Sequence, residues 1–131
     1  MPLPITAIIA GLCVLWLIVL QAKVIRFRRG TGVSLGDAGD VMGERLIRAH
    51  ANAVENVPIF IILLGLSEGL GTPGWVLWCL GLGFLVARIT HGVHFFRVRD
   101  GFRLRFYGML FTLLIMGLTA IGVLAHGLAS L

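Results

Sequence analysis

The residues of this sequence that are best suited to chemistry lie in one run, from Glu44 to Pro58. The run reads Glu-Arg-Leu-Ile-Arg-Ala-His-Ala-Asn-Ala-Val-Glu-Asn-Val-Pro. At about 100° per helical residue, most of its polar side chains fall within an arc of roughly 100° on one helix face. The members of this polar face are Glu44, Arg45, Arg48, Asn52 and Glu55. This face is the candidate functional site.

The position of the polar face relative to the membrane supports this interpretation. The apolar stretch that follows, Val57 to Leu66, is too short to cross a bilayer, which needs about 20 helical residues. A spanning helix must therefore take its own polar half into or near the membrane. Ionisable groups at that depth cost about 2.5 kcal/mol or more each, so we expect them to face a bundle interior or a wet cavity.

A second polar row lies in the third apolar segment, with members spaced by three and four residues: Arg88, His91, Phe95 and Arg99. This spacing places them on one helix face. Two interpretations of Arg88 stay open here, a structural salt bridge with Glu55 or Glu44 across the bundle and a direct part in the site. His91 is likewise open between a packing role and a ligand contact.

Together these residues describe the ligand that the site would accept. The predicted cytoplasmic half of the bundle offers several guanidinium groups and few carboxylates. The guanidinium groups belong to Arg28, Arg29, Arg48, Arg99, Arg103 and Arg105, and the other polar members are Asn52, Glu55 and His91. Guanidinium groups bind carboxylates in a bidentate manner. Glu55 and Asn52 are suited to an ammonium or amide group. The implied ligand is small, has at least two carboxylates and carries a positive or amide end.

The elements that must position these residues are membrane helices. The chain has 131 residues, 58% of them hydrophobic, and a mean hydropathy of +0.99, which is typical of a polytopic membrane protein. Apolar segments cover about residues 5–22, 41–67, 75–96 and 104–128. Each is long enough to cross about 30 Å of hydrocarbon. The sequence predicts an all-α membrane protein, with residues 1–131 forming one four-transmembrane-helix domain.

The net charge of +5 is a topology signal and does not predict nucleic-acid binding. Basic residues cluster after the first segment and between the third and fourth, whereas the connection from Glu68 to Gly74 has none. The positive-inside rule therefore predicts cytoplasmic basic loops and both termini outside. We expect a bacterial inner-membrane protein whose site faces the cytoplasm, and basic loops that touch anionic membrane lipid. The first segment is expected to be a span and not a cleaved signal peptide, since it lacks a basic leading region.

Other chemistries find little support. Cys13 and Cys79 lie in predicted spans without metal or redox spacing, and we expect both to be small buried hydrophobic residues. The glycines between Gly69 and Gly74 formally match a dinucleotide fingerprint, but they follow a membrane helix and not a strand. No metal is expected.

The second-segment motif looks like the signature of a known family. Glu44-Arg-x-x-Arg48-Ala-x-x-Asn52-x-x-Glu55-x-x-Pro58 resembles the second helix of the membrane-associated proteins in eicosanoid and glutathione metabolism, the MAPEG family. Length, span number, the basic loop after the first span and the Arg-x-x-Gly-Met start of the fourth helix also agree. The resemblance implies a homotrimer with glutathione held between adjacent subunits. It also implies an activity like that of the microsomal glutathione transferases.

Site roles follow from the resemblance, position by position. Glutathione would be bound by Arg48, His50, Asn52, Glu55, His91 and Phe95, with Arg28 or Arg29 from the neighbouring subunit. Arg105 aligns best with the arginine that stabilises the glutathione thiolate, and Arg103 is the alternative. Phe95 replaces a tyrosine of several family members, so its hydroxyl is missing unless Tyr107 substitutes for it.

The expected reaction is attack of the glutathione thiolate on a lipophilic electrophile or hydroperoxide in the membrane. Two other functions stay open. One is a non-catalytic scaffold of the same family that binds glutathione or lipid. The other is a small proton-coupled transporter that uses Glu55. Replacing Glu55 by Gln would abolish proton coupling in such a transporter, whereas in a transferase it would mainly lower glutathione affinity.

Overall fold

Four long helices form most of the described part of the protein. The structure, a computed structural model, describes residues 2–97 and 103–131. The helices in these ranges are α1 (Pro4–Thr31), α2 (Val41–Gly69), α3 (Gly74–His94) and α4 (Arg103–Ala129). All four are long and apolar enough to cross a membrane, which confirms the predicted all-α architecture with four spans. Arg99, placed by the sequence on the polar row of the third segment, lies outside the described residues.

Two local structures join α1 to α2 at the end of the bundle that carries the polar residues. Gly32, with φ of 73°, ends α1 in the left-handed conformation, and its N–H donates to the Arg28 carbonyl. Asp40 is the N-cap of α2, and its carboxylate accepts from Met42 N at 2.7 Å and Gly43 N at 3.2 Å. The cap marks the start of α2 at Val41. It also fixes the first turn of α2, which carries Glu44.

At the opposite end of the bundle, a carboxylate of α2 accepts hydrogen bonds from the first turn of α1. Glu68, near the end of α2, accepts from the backbone N–H of Ile5 at 3.0 Å and of Thr6 at 2.7 Å. These N–H groups lie in the first turn of α1 and have no partner within the helix. A negative charge at this position also interacts favourably with the helix dipole. Glu68 therefore ties the start of α1 to the end of α2.

The apolar core lies between these two ends. It contains Ile9 and Cys13 of α1, Phe60 of α2 and Phe84 of α3, and the rings of Phe60 and Phe84 stack with centroids 3.8 Å apart. Cys13 is buried as predicted, but the same prediction for Cys79 is wrong, because Cys79 is exposed. Its position on α3 is opposite the face that packs on the core.

Gly108 sets the distance between α3 and α4. A Cβ atom there would lie 2.7 Å from His91 N and 2.8 Å from His91 Cα, which is closer than such atoms approach. Only glycine permits this backbone approach. Because Arg105 lies one turn earlier on α4 and His91 lies on α3, Gly108 also determines how close these two side chains come.

We therefore expect Gly108→Ala to destabilise the protein by about 1–3 kcal/mol, since helix backbone cannot move aside as a flexible side chain can. Gly117→Ala is the matched control on α4, where nothing lies within 4 Å of the added methyl group. Thermal unfolding in detergent measures both. Equal midpoints for the two variants would contradict the close approach.

Candidate functional site

A polar cavity opens where α2 begins, α3 ends and α4 begins. Its volume is about 320 Å³. The residues that line it are Val41, Glu44, Arg45, Arg48, Asn52, His91, Phe95 and Arg105. The polar face of α2 and the polar row of α3 thus meet in space, although they are far apart in sequence. The cavity collects several guanidinium groups and a single acidic residue, Glu44, among its described lining residues.

Arg88 lies beneath the floor of this cavity and joins three helices. Its side chain is buried, with 1% of its surface exposed. Nη2 donates to Asn52 Oδ1 at 2.8 Å and pairs with His91 Nδ1 at 2.7 Å. Nη1 donates to Thr112 Oγ1 at 3.3 Å. The guanidinium therefore links α2, α3 and α4 at one level.

The alternative that Arg88 forms a salt bridge with Glu55 or Glu44 is wrong. Within the described residues its oxygen and nitrogen partners are an amide, a hydroxyl and an imidazole. Both glutamates are exposed. Asn52 occupies the position on α2 that faces Arg88, so no carboxylate reaches the guanidinium. A buried cation without a carboxylate costs several kcal/mol unless its hydrogen bonds are satisfied. Nη1 and Nη2 of Arg88 have partners, whereas Nε has none among the described residues. The guanidinium places a positive charge beside the cavity.

Phe95 supports two of the cavity arginines. The guanidinium carbons of Arg45 and Arg105 lie 5.6 and 5.8 Å from the centre of its ring, within the range of cation–π contacts. Arg45 Nη2 also donates to the His94 carbonyl at 2.8 Å. A ring without a hydroxyl at position 95 therefore still has a clear role, since it holds guanidinium groups at the cavity wall. Tyr107 does not line the polar cavity. It lines a different, apolar pocket between α3 and α4.

The structure brings together half of the site residues that the sequence predicts. Arg48, Asn52, His91, Phe95 and Arg105 line the cavity. Five others do not line it within one chain: Arg28, Arg29, His50, Glu55 and Arg103.

The positions of four of these residues show why they do not reach the cavity. Arg28 Nε donates to the Gly36 carbonyl at 3.3 Å in the loop after α1. Glu55 shares the angular position of Arg48 but lies about two turns further along α2, roughly 10 Å away along the helix axis. His50 points to another side of α2. Arg103 is exposed at the first residue of α4.

Arg105 lies where polar and apolar surfaces meet. Besides the polar cavity, it lines an apolar groove of about 350 Å³ along α4, together with Phe106, Met109, Leu110 and Leu113. A polar ligand in the cavity and an apolar molecule in the groove would both contact this one guanidinium.

Sequence reasoning missed Thr112. It is buried, accepts from Arg88, and donates to the Gly108 carbonyl at 2.7 Å. A signal was present, because Thr112 lies two turns after Arg105 and so on the same face of α4. A lone threonine in an apolar helix does not distinguish an arginine partner from the backbone bond that such residues ordinarily make.

The fold and the site define a four-span membrane protein with a polar cavity, and comparisons with known proteins identify its family. The sequence matches the family model described as MAPEG family over residues 6–125. It is 35% identical over 87 residues to the inner membrane protein YecN of Escherichia coli strain K12, a match that covers 66% of each chain. The protein of the same name in E. coli O6:H1 strain CFT073 matches equally. This chain therefore belongs to the MAPEG family.

The family assignment confirms the resemblance seen in the second-helix motif. Four apolar helices and the relationship to an inner membrane protein support an integral protein of the inner membrane. The name of the relative specifies its location and states no activity.

The geometry around Arg88 gives a stability prediction. Thr112→Val keeps the side-chain shape but removes the oxygen that accepts from Arg88 Nη1, so we expect a loss of about 1–3 kcal/mol. Thr119→Val is the matched control: Thr119 is also buried on α4 and donates to the Ile115 carbonyl at 2.7 Å, without an arginine partner. The difference between the two in detergent unfolding measures the Arg88 contact. If both variants lose the same stability, Thr112 does not stabilise the buried charge.

Proposed function

We propose that this protein is a glutathione-dependent transferase or peroxidase that acts on lipophilic electrophiles or hydroperoxides. The observation that carries the proposal is the position of Arg105, at the junction of the polar cavity and the apolar groove of α4. A water-soluble thiol and a lipid-soluble substrate would meet at that guanidinium. Membership of a family that includes glutathione transferases supports the same conclusion.

The cavity residues fit glutathione by charge. Glutathione has two carboxylates, one ammonium group and a thiol. Arg45 and Arg48 offer guanidinium groups to its carboxylates, and Glu44 offers a carboxylate to its ammonium group. Arg105 remains for the thiol, because it is the arginine that also reaches the apolar groove.

Arg105 would act by stabilising the thiolate. A thiol with a pKa of about 8.5 is only a few per cent ionised at neutral pH. A guanidinium a few ångströms away in a partly dry site can lower that pKa by about one or two pH units, each equivalent to about 1.4 kcal/mol. The thiolate attacks the electrophile, a carbon–sulfur bond forms, and the leaving group departs with its electron pair. With a hydroperoxide, the thiolate attacks the terminal oxygen, a sulfur–oxygen bond forms, the O–O bond breaks and the alkoxide leaves with the electron pair, to be protonated to the alcohol. A second glutathione then reduces the resulting sulfenic acid, giving glutathione disulfide and water.

A homotrimer would complete the site. Arg28 and Arg29 lie in the last turn of α1 and do not line the cavity of their own chain. In a trimer with the site at the subunit boundary, this turn would supply guanidinium groups to the cavity of a neighbour. In that assembly the cavity opens toward the cytoplasm, and both termini lie on the opposite side of the membrane.

A subunit-mixing experiment tests the activity and the shared site together. We expect the purified protein to conjugate glutathione to an activated aryl halide. Arg48→Ala and the double variant Arg28→Ala/Arg29→Ala should each lose at least about tenfold in kcat/KM, since each removes a charged hydrogen bond to the ligand. When both variants are co-expressed, some sites combine an intact Arg48 with an intact α1 end from the neighbour, and activity should return.

Arg26→Ala is the control, because Arg26 lies near the same end of α1 but lines a different cleft. No gain on co-expression would contradict a shared site. No conjugation or peroxide reduction by the wild-type protein, despite bound glutathione, would instead support a non-catalytic scaffold.

A further inference from the structure

Arg88 has a second effect that follows from its bonding pattern. It touches two residues that line the cavity, Asn52 and His91, and in each case it engages an atom that can accept a hydrogen bond. We propose that Arg88 is a positioning residue: because it occupies the acceptor atom of each side chain, both Asn52 and His91 present a hydrogen-bond donor to the ligand. The identity of that ligand rests on the proposed function, but the orientation of the two side chains does not.

The tautomer of His91 is determined by the guanidinium of Arg88, which has only donors. Arg88 Nη2 lies 2.7 Å from His91 Nδ1, so that nitrogen must be the acceptor and carries no proton. A neutral imidazole with an unprotonated Nδ1 has its proton on Nε2. His91 lines the cavity, and Nε2 is the ring nitrogen left for a ligand. Arg88 therefore selects the tautomer that donates from Nε2.

The guanidinium of Arg88 fixes the orientation of the Asn52 amide in the same way. The oxygen and the nitrogen of this side-chain amide are hard to distinguish by shape. Because the guanidinium can only donate hydrogen bonds, it must face the oxygen. Oδ1 accepts from Arg88 at 2.8 Å, which leaves the amide NH₂ group as the part of the side chain available to the cavity.

The result is a cavity wall that consists largely of donors. The Asn52 amide and the His91 Nε2–H extend the donor set formed by Arg45, Arg48 and Arg105. At these positions the wall favours carboxylate oxygens and thiolate sulfur, which accept hydrogen bonds, and disfavours ligand groups that need an acceptor. Arg88 does this without lining the cavity, since it is buried beneath Asn52 and His91.

The His91 tautomer can be measured without any ligand. Protein labelled with ¹⁵N-histidine has four histidines, and the difference spectrum with His91→Gln assigns the signals of His91. We expect a protonated Nε2 and an unprotonated Nδ1 in the wild-type protein, and a mixture or reversal in Arg88→Met. Thr112→Val is the control, because it removes another contact of Arg88 and should leave the tautomer unchanged. A protonated Nδ1 in the wild-type protein would overturn the proposal.

Asn52→Asp tests the second orientation and does not depend on whether Arg88→Met folds. The aspartate keeps an oxygen toward Arg88 but replaces the cavity-facing NH₂ group with a second oxygen. We expect the unfolding midpoint to stay at or above that of the wild type, while glutathione affinity falls about tenfold or more. Asn52→Ala should lower both the unfolding midpoint and the glutathione affinity. Unchanged affinity in Asn52→Asp would overturn the proposal, because the amide would then face elsewhere.

The two experiments also separate this inference from the proposed function. If the wild-type protein binds no glutathione, the proposed function fails, and the nitrogen spectrum alone decides whether Arg88 selects the tautomer of His91.

Discussion

The burial of one guanidinium is the constraint on which the rest of this structure depends. Arg88 is 1% exposed, and its hydrogen bonds reach side chains of α2, α3 and α4. Because the guanidinium is buried, the loss of those partners would leave an uncompensated charge, which costs several kcal/mol. A slide of α2 by one turn, about 5.4 Å, would remove the Asn52 contact, and a similar slide of α4 would remove the Thr112 contact. The register of the three helices at the site is therefore set by a polar interaction, whereas the apolar core sets only their general proximity.

Other features around Arg88 follow from that register. Gly108 lets α4 approach the backbone of α3 at His91, which brings Arg105 to the cavity. Phe95, at the end of α3, then places its ring within reach of the guanidinium groups of Arg45 and Arg105. These contacts put several positive charges around a small cavity whose far edge is an apolar groove. The charge arrangement suits an anionic ligand that must meet a lipid-soluble molecule.

The sequence was sufficient to predict the spans and most of the cavity wall, because hydropathy and helical periodicity depend on single segments. The face from Glu44 to Asn52 and the row from Arg88 to Phe95 both follow from that periodicity. The partner of Arg88 was not predictable in this way. Periodicity places Glu55 and Asn52 on the same face of α2, and only the relative height of the helices selects the amide. The cap that Glu68 forms on α1 is another contact between distant segments that periodicity cannot predict.

The proposed function requires Arg105 to stabilise a thiolate at the junction of the polar cavity and the apolar groove of α4. The most direct measurement is the ultraviolet thiolate absorbance of bound glutathione, titrated with pH on the wild-type protein, Arg105→Ala and Arg103→Ala. Arg103 is the matched control, an arginine two residues earlier on α4 that does not line the cavity. In the wild type and in Arg103→Ala we expect the thiolate to form at a pH well below the free-solution pKa of about 8.5. In Arg105→Ala we expect this low-pH thiolate signal to be lost. An unchanged titration in Arg105→Ala, with glutathione still bound, would contradict the claim.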